Sequence, residues 1–296
     1  MIIDGRNLDP RIADMHGEGA TIAVDRPDVA WPVPPEAHPA AVSETYYDLP
    51  VIKTPPWKWF VPSYFYAGGL AGAAATIGEH AIALAAESIG GALLIADLGK
   101  PLRFINMMRV FRPTSPMNMG TWILGTAGAS TALALVTGWR PARVTSAIAG
   151  SMLSTYTGVL IGNTAVPVWH ATRRRMPLYF AASSAASLAS LLELLGRPRH
   201  RYAVVAKTAN LATMLAVQAK ADAAGVGAPL HEGRAGTMWR GAKWLGIASL
   251  AATVLSRPRL AGVLGTAAAV LGRFAIAEAG VQSAADPRAT FGPQRT

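Results

Sequence analysis

Long apolar runs separated by short polar breaks dominate the chain from about residue 59 onward. Each run is close to the roughly 20 residues that cross the hydrocarbon core of a bilayer as a helix. The predicted spans are 59–78, 80–97, 117–138, 144–168, 177–195, 202–219, 240–256 and 260–280. The pattern therefore predicts an all-α integral membrane protein with eight transmembrane helices and both termini on one side. Polar residues dilute the sixth and seventh runs most.

These runs also divide the chain into domains. Residues 1–50 are acidic and contain WPVPPEAHP, which is too rich in proline for a helix. They are predicted to form an extramembrane arm, either a solvated tail or a strap across a partner or the protein itself. Residues 51–283 are the predicted eight-helix transmembrane domain, with a structured basic loop at 97–120. Residues 284–296 are a short polar tail.

Composition supports the prediction of a membrane protein and limits the cofactors that the chain itself could hold. The chain is 51% hydrophobic and only 15% charged, which is unusually apolar for a soluble protein. Its first 50 residues have a net charge of −6 and the rest +16, but the basic residues lie in short loops, where lipid headgroups and topology explain them. Nucleic acid is therefore not a predicted partner. Without cysteine, redox chemistry requires an organic cofactor or a partner's metal centres.

The longest polar interruption is the stretch 97–120, DLGKPLRFINMMRVFRPTSPMNMG. Its predicted roles are contact with lipid headgroups or docking of a partner subunit, and PTSP restricts the loop more than lipid contact requires. The cations that would serve either role are Lys100, Arg103, Arg109 and Arg112.

Three carboxylates in or beside the second predicted helix are candidates for a proton path, because a charge inside a membrane is costly unless it is paired or hydrated. Glu79 and Asp97 are eighteen residues apart, a whole number of turns, and Glu87 lies within about 80° of their face. The alternative is that Glu79 and Asp97 are interfacial caps and that Glu87 pairs with Lys207 or Arg273.

Other motifs indicate anchoring and packing. Aromatic residues and lysines alternate before the first helix, as at a headgroup layer, and Gly68, Gly69 and Gly72 give that helix a face that a neighbour can approach closely. The six histidines lie in the tail, at span ends or in loops, so neither haem ligation nor a metal site is predicted.

Three segments together resemble the NrfD/polysulfide reductase membrane-anchor family. They are PPWKWFVPSYFYAGGLAGAAA, the 97–120 stretch already quoted, and YTGVLIGNTAVPVWH at 156–170. The resemblance covers roughly residues 45–170, while the C-terminal half is similar only in hydropathy.

The resemblance implies more than the pattern does. Family members are eight-helix subunits, usually two four-helix bundles, that bind menaquinone or ubiquinone. They dock a ferredoxin-like subunit with four-iron clusters, which connects them to a molybdopterin catalytic subunit. Relatives hold the quinone head beside the segment that enters the first helix, with help from the fourth. On this chain that implies Trp57, Lys58, Trp59 and Tyr156, with Lys58 where some relatives have histidine.

Two other functions stay open at this stage. One is a transporter or proton channel that uses the carboxylates, although no clear inverted repeat is present; the other is a structural anchor without an active quinone site. The family implies a prokaryotic cell membrane. The side of the termini is unresolved, since the basic-loop count favours the cytoplasm and the relatives favour the outside.

Overall fold

The computed structural model of the protein describes residues 50, 52–98 and 106–291, and these residues are helical apart from the connections. The helices, numbered here in chain order, are α1 (Phe60–Thr76), α2 (His80–Leu98), α3 (Pro116–Thr137), α4 (Arg140–Gly162), α5 (Pro167–Ala171), α6 (Met176–Leu194), α7 (His200–Ala223), α8 (Ala228–His231), α9 (Gly233–Val254), α10 (Pro258–Ala285) and α11 (Pro287–Phe291). Nearly all of the predicted arm at 1–50, and Lys100 and Arg103, lie outside the described residues.

Proline marks several helix starts, where its missing N–H costs no hydrogen bond. It occupies the first or second position of α3, α4, α6 and α10. At α3 the Ser115 side chain also accepts a hydrogen bond from the Asn118 backbone N–H. The helix ends at Gly138, whose φ of 65° is the left-handed conformation that glycine adopts readily. The PTSP motif is therefore the entrance to a helix.

Two predicted spans, the fourth and the seventh, had wrong boundaries. The fourth run was expected at 144–168, but α4 spans Arg140–Gly162, because Pro141 is compatible with a first turn and Pro167 holds Val166 in an extended conformation. The seventh was expected at 240–256, but α9 begins at Gly233. Its polar first turns are tolerated because Arg234 and Thr237 are exposed.

The eight helices of 17 or more residues in the described part pack as two groups of four. The first group is α1, α2, α3 and α4, and the second is α6, α7, α9 and α10; α1 and α4 pack against α6, and α1 also packs against α10. We call the end of the unit where α1 begins and α10 ends the terminal face, and the other end the opposite face. The described loop residues 106–115 and the loop 163–175 belong to the terminal face.

The predicted small-residue face of α1 is confirmed. A Cβ atom added at Gly72 would lie only 2.6 Å from the Gly150 carbonyl oxygen and from the Ser154 backbone nitrogen of α4. At Gly69 an added Cβ would collide with the Ser184 hydroxyl of α6. Gly72 therefore lets α1 approach the backbone of α4, and Gly69 leaves room for the Ser184 side chain of α6.

The outer surface of the helices is apolar in a way that fits a bilayer. Four helices, α2 over His80–Asp97 and the whole of α3, α4 and α10, are long and apolar enough to span one. Of the remaining long helices, α6, α7 and α9 also expose large apolar side chains, among them Leu178 of α6, Val205 and Leu215 of α7, and Trp244 and Ile247 of α9. Such a surface is typical of contact with lipid. The prediction that all eight long helices cross the membrane stays a prediction.

The second group contains a buried ion pair close to the opposite face. Lys207 Nζ of α7 lies 2.5 Å from Glu193 Oε2 of α6, and both side chains are almost wholly buried. Lys207 Nζ also donates to the Thr253 hydroxyl at 2.8 Å, and that hydroxyl lies 2.7 Å from Glu193 Oε1. Arg273 is fully buried and donates to the Phe180 carbonyl and the Ser184 hydroxyl.

Candidate functional site

A cavity of about 130 Å³ lies between the four helices of the first group at the terminal face. The start of α1, the end of α2, the start of α3 and the end of α4 each contribute to its wall. Its lining is mostly apolar, with two phenols, a hydroxyl and a carboxylate among it: Tyr64, Leu94, Asp97, Met107, Met117, Gly120, Thr121, Leu124, Tyr156 and Leu160. A few converging polar groups in an apolar pocket are the usual composition of a small-molecule site.

Tyr156 is held tightly against the first turn of α3. Its phenol donates a hydrogen bond of 2.7 Å to the Pro116 carbonyl oxygen, which is one of the cavity's few fixed polar contacts. A Cβ atom at Gly120 would collide with the Tyr156 ring. Glycine at this position therefore allows the phenol to lie across α3, and the Tyr156 oxygen keeps a lone pair with which it can accept a further hydrogen bond.

Tyr64 of α1 lines the same cavity as Tyr156 of α4. It lies in the second turn of α1, and only 5% of its surface is exposed. Its ring packs over Gly68 and Gly90, where an added Cβ would lie 3.0 and 3.4 Å away. Two phenols thus line one apolar cavity. Thr121 completes the polar lining and donates to the Met117 carbonyl at 3.2 Å.

The Asn118 side chain, in the first turn of α3, binds the described part of the basic loop. Its amide nitrogen donates to the carbonyl oxygens of Met107 and Val110 at 2.6 and 2.8 Å, and its amide oxygen accepts from the Arg112 backbone N–H at 2.7 Å. Because Met107 itself lines the cavity, the shape of the loop and the shape of the cavity depend on the same hydrogen bonds.

The three predicted proton-path carboxylates have different environments. Asp97 lines the cavity and is exposed. Glu87, ten residues or about 15 Å earlier along α2, is 6% exposed, and its carboxylate oxygens have no hydrogen-bond partner among the described residues. A Cβ at Gly128 of α3 would lie 3.5 Å from Glu87 Oε2. Since Lys207 pairs with Glu193, and Arg273 contacts Phe180 and Ser184, the suggested pairing of Glu87 with either cation was wrong.

Glu79 is the structural member of the three. It precedes α2, and its carbonyl accepts from the Ala83 N–H at 2.9 Å. Its carboxylate forms an ion pair with Arg197 at 3.1 Å and another with Arg199. These arginines lie between α6 and α7, so Glu79 connects the two groups of helices at the opposite face. This position favours the interpretation of Glu79 as an interfacial residue.

Of the four residues that the resemblance implied for quinone binding, only Tyr156 lines the cavity. Trp57 stacks on Trp169 with ring centroids 4.9 Å apart and meets the edge of Phe65 at 5.7 Å, so it packs with the core. Lys58 is exposed, and Trp59 is 59% exposed and lies against Phe60.

The predicted docking cations are only partly described. Arg109 and Arg112 are exposed on the loop of the terminal face. Among the described residues, no group of three or more metal-ligating side chains is close enough to hold an ion. Sequence reasoning missed Tyr64 as a cavity residue, although it belongs to the cluster of aromatic residues near the start of the first helix. It also missed Asn118 and Gly120, because their roles depend on contacts between distant segments.

Comparison with known proteins assigns this sequence to a family. The chain matches the family model described as NrfD_2, polysulfide reductase, over residues 61–285, about three-quarters of its length. The match extends the resemblance into the C-terminal half. No curated protein matches the chain. With its apolar helices, the match identifies a multi-pass membrane protein of a class that anchors oxidoreductases and generally pairs with iron–sulfur and molybdopterin subunits. The chain belongs to the NrfD/polysulfide reductase family of membrane-anchor subunits.

Proposed function

We propose that this chain is the quinone-binding subunit of a multisubunit oxidoreductase. It would exchange electrons between menaquinone or ubiquinone in the membrane and a ferredoxin-like iron–sulfur subunit linked to a molybdopterin catalytic subunit. The observation that carries the proposal is the cavity between Tyr64 and Tyr156. It lies at the terminal face, where the exposed Arg109 and Arg112 are available to a partner.

The cavity residues suit a quinone head. The volume of about 130 Å³ is many times the space that one water needs, and it suits a single ring whose isoprenoid tail continues along apolar surface. The Tyr64 hydroxyl can donate a hydrogen bond to a carbonyl oxygen, and the Tyr156 oxygen can accept one from a hydroxyl. A bound quinone would supply two-electron chemistry accompanied by two protons.

Protons would enter and leave through Asp97, which lines the cavity and is exposed to solvent. A carboxylate at that position can exchange protons with water and with a group in the cavity. Glu87 would accept or release a proton deeper in the first group, because it is buried and without a partner among the described side chains. Lys58 would contribute positive charge before α1. Trp57 and Trp59 would hold the entry segment in place, and Glu79, whose carboxylate pairs with Arg197 and Arg199, would connect the two groups of helices rather than carry protons.

The isolated Glu87 also favours a second candidate function, a proton channel. A proton channel would move protons across the membrane without a quinone or an electron donor, whereas in the proposed function protons are exchanged only as electrons pass between the quinone and the partner subunit. A structural anchor would show neither activity. Proton uptake by the reconstituted complex, measured with and without a quinone and an electron donor, distinguishes the three functions.

The experiment that tests the proposal fills the cavity. In the assembled complex, Thr121→Phe places a ring in the space that the quinone head would occupy, while Leu215→Phe enlarges a side chain on the lipid-facing surface of α7. We expect the first variant to co-purify with its partners and to retain less than about one-tenth of the wild-type quinone. The control should retain all of it. Wild-type quinone content in an assembled Thr121→Phe complex would contradict the proposal.

A further inference from the structure

A basic cleft of about 530 Å³ lies at the terminal face of the second group of helices. The segment after α5 and the last turn of α7 form it, and its charged or titratable lining residues are His170, Arg173, Arg174, Arg175 and Lys220. None of its lining residues is acidic. Four cations that share one cleft repel each other, and an anion bound among them would offset that repulsion.

Two of the guanidinium groups are held in place by the protein. Arg175 donates to the Ala216 carbonyl of α7 at 2.6 Å, and Arg173 Nη1 lies 2.5 Å from His170 Nε2, to which it donates when the imidazole is neutral. Each guanidinium has five N–H donors, so most remain for a ligand. Arg174 and Lys220 have no carboxylate within ion-pair distance among the described residues.

The depth of the cleft is fixed by contacts with α4, one of the four helices apolar enough to span a membrane. A Cβ at Gly162 would lie 3.0 Å from the Arg173 Cα, and one at Gly158 would lie 2.7 Å from the Met176 backbone. The arginines therefore lie level with the last turn of a candidate span. That level is the boundary between hydrocarbon and water, where lipid phosphates are found.

An apolar groove of about 590 Å³ adjoins the cleft and shares His170 and Ala171 with it. Its other lining residues include Ile52, Pro167 and Val226. A basic site that continues into an apolar one matches a ligand that is anionic at one end and hydrocarbon at the other.

We propose that this cleft binds the phosphate headgroup of an anionic phospholipid, with the lipid's apolar part along the adjoining groove. Arg174 and Lys220 would contact the phosphate directly, while Arg173 and Arg175 present further donors from fixed positions. This site is separate from the cavity between Tyr64 and Tyr156, and neither depends on the other.

The proposal is tested by native mass spectrometry of the delipidated full-length chain in detergent. The probes are dioleoyl phosphatidylglycerol, dioleoyl phosphatidylcholine and inorganic phosphate. We expect the anionic lipid to bind at least about tenfold more tightly than the zwitterionic one, because both headgroups carry a phosphate but the cations of the cleft repel the choline group of phosphatidylcholine. The double variant Arg174→Gln/Lys220→Gln should lose this preference.

Two matched variants serve as controls. Arg174→Lys/Lys220→Arg keeps the charges and should keep the preference. Arg257→Gln/Arg259→Gln removes two exposed cations from the opposite face and should not change it. Thermal unfolding of each variant shows whether a lost lipid preference reflects lost folding. If the glutamine variant unfolds, the lipid preference is measured on the charge-preserving variant instead.

Three results would overturn the proposal. Equal affinity for the two lipids would remove the charge preference on which it rests. Displacement of the anionic lipid by inorganic phosphate at equal concentration would make the cleft a site for a soluble anion. Displacement by a hexaglutamate peptide at equal concentration would make it a docking surface for an acidic protein segment.

Discussion

The phenol of Tyr156 on α4 donates a 2.7 Å hydrogen bond to the Pro116 carbonyl in the first turn of α3. Tyr156 lines the cavity between the helices of the first group, and this bond ties the end of α4 to the start of α3, the helix that follows the basic loop. The cavity and the basic loop therefore have a common framework, from which several outcomes follow.

Gly120→Ala should deform the cavity, because the added Cβ collides with the Tyr156 ring. We expect a loss of about 1–3 kcal/mol in the free energy of unfolding and reduced quinone retention. The control is Gly91→Ala on α2, where a Cβ meets nothing within 4 Å, and which should leave stability equal or slightly higher. Thermal unfolding in detergent measures both, and equal midpoints for the two variants would contradict the packing account.

Asn118→Ala should loosen the basic loop, since it removes three hydrogen bonds to Met107, Val110 and Arg112. Each is worth about 0.5–1.5 kcal/mol. Hydrogen exchange over residues 106–115 should become faster while that of α10 is unchanged. In Asn163→Ala, the lost side chain bonds only the Val159 carbonyl of its own helix, and exchange in the loop should stay slow. Unaltered loop exchange in Asn118→Ala would show that other contacts hold the loop.

Lys207→Met should be strongly destabilising, because it leaves the Glu193 carboxylate buried without its cation. A broken buried pair costs about 3–5 kcal/mol. The double variant Glu193→Leu/Lys207→Met removes both charges and should recover most of that loss. A double-mutant cycle on unfolding free energies measures the coupling, and additive effects would mean that the pair does not act as a unit.

Glu87→Gln should lower quinone-linked turnover at least about tenfold without loss of quinone. Glutamine has nearly the same shape but cannot exchange a proton, and removing a buried ionisable group should leave thermal stability equal or higher. Ser88→Ala, at the neighbouring exposed position, is the control and should turn over normally. Wild-type turnover in Glu87→Gln would remove this residue from the proton path.

Glu79→Gln should lower stability and leave turnover unchanged, the opposite of Glu87→Gln. Its ion pairs with Arg197 and Arg199 join the two groups of helices, so thermal stability should fall, by about 1 kcal/mol since both arginines are partly exposed. Quinone-linked turnover should not change. Turnover that falls while stability holds would return Glu79 to the proton path.

Periodicity and length sufficed to predict the long helices, and the resemblance of three segments indicated the family, but neither located the site. The segments Trp57–Trp59 and Tyr156 are ninety-odd residues apart, and only the packing of α1 on α4 decides which turn of α1 faces the phenol. It is the turn of Tyr64, because Gly72 brings the two backbones together. The interfacial pattern around Trp57 was visible in the sequence, whereas its stacking on Trp169 of a distant segment was not.

The basic loop and the carboxylates of the second helix also show where prediction from the sequence ends. PTSP predicted a restricted loop, and Ser115 and Pro116 confirm it by starting α3. The hydrogen bonds of Asn118 could not be inferred, since a single amide serves three partners through the folded path of the chain. Helical spacing placed Glu79, Glu87 and Asp97 along one helix, but it gave no information on Arg197 and Arg199, which follow Glu79 by 118 and 120 residues.

The most direct test of the central claim is quinone content after affinity purification of the tagged wild-type chain in mild detergent, with identification of the subunits that accompany it. The account predicts an iron–sulfur subunit, a molybdopterin subunit and about one quinone per chain. A chain recovered alone and free of quinone, from cells that contain the intact complex, would contradict it.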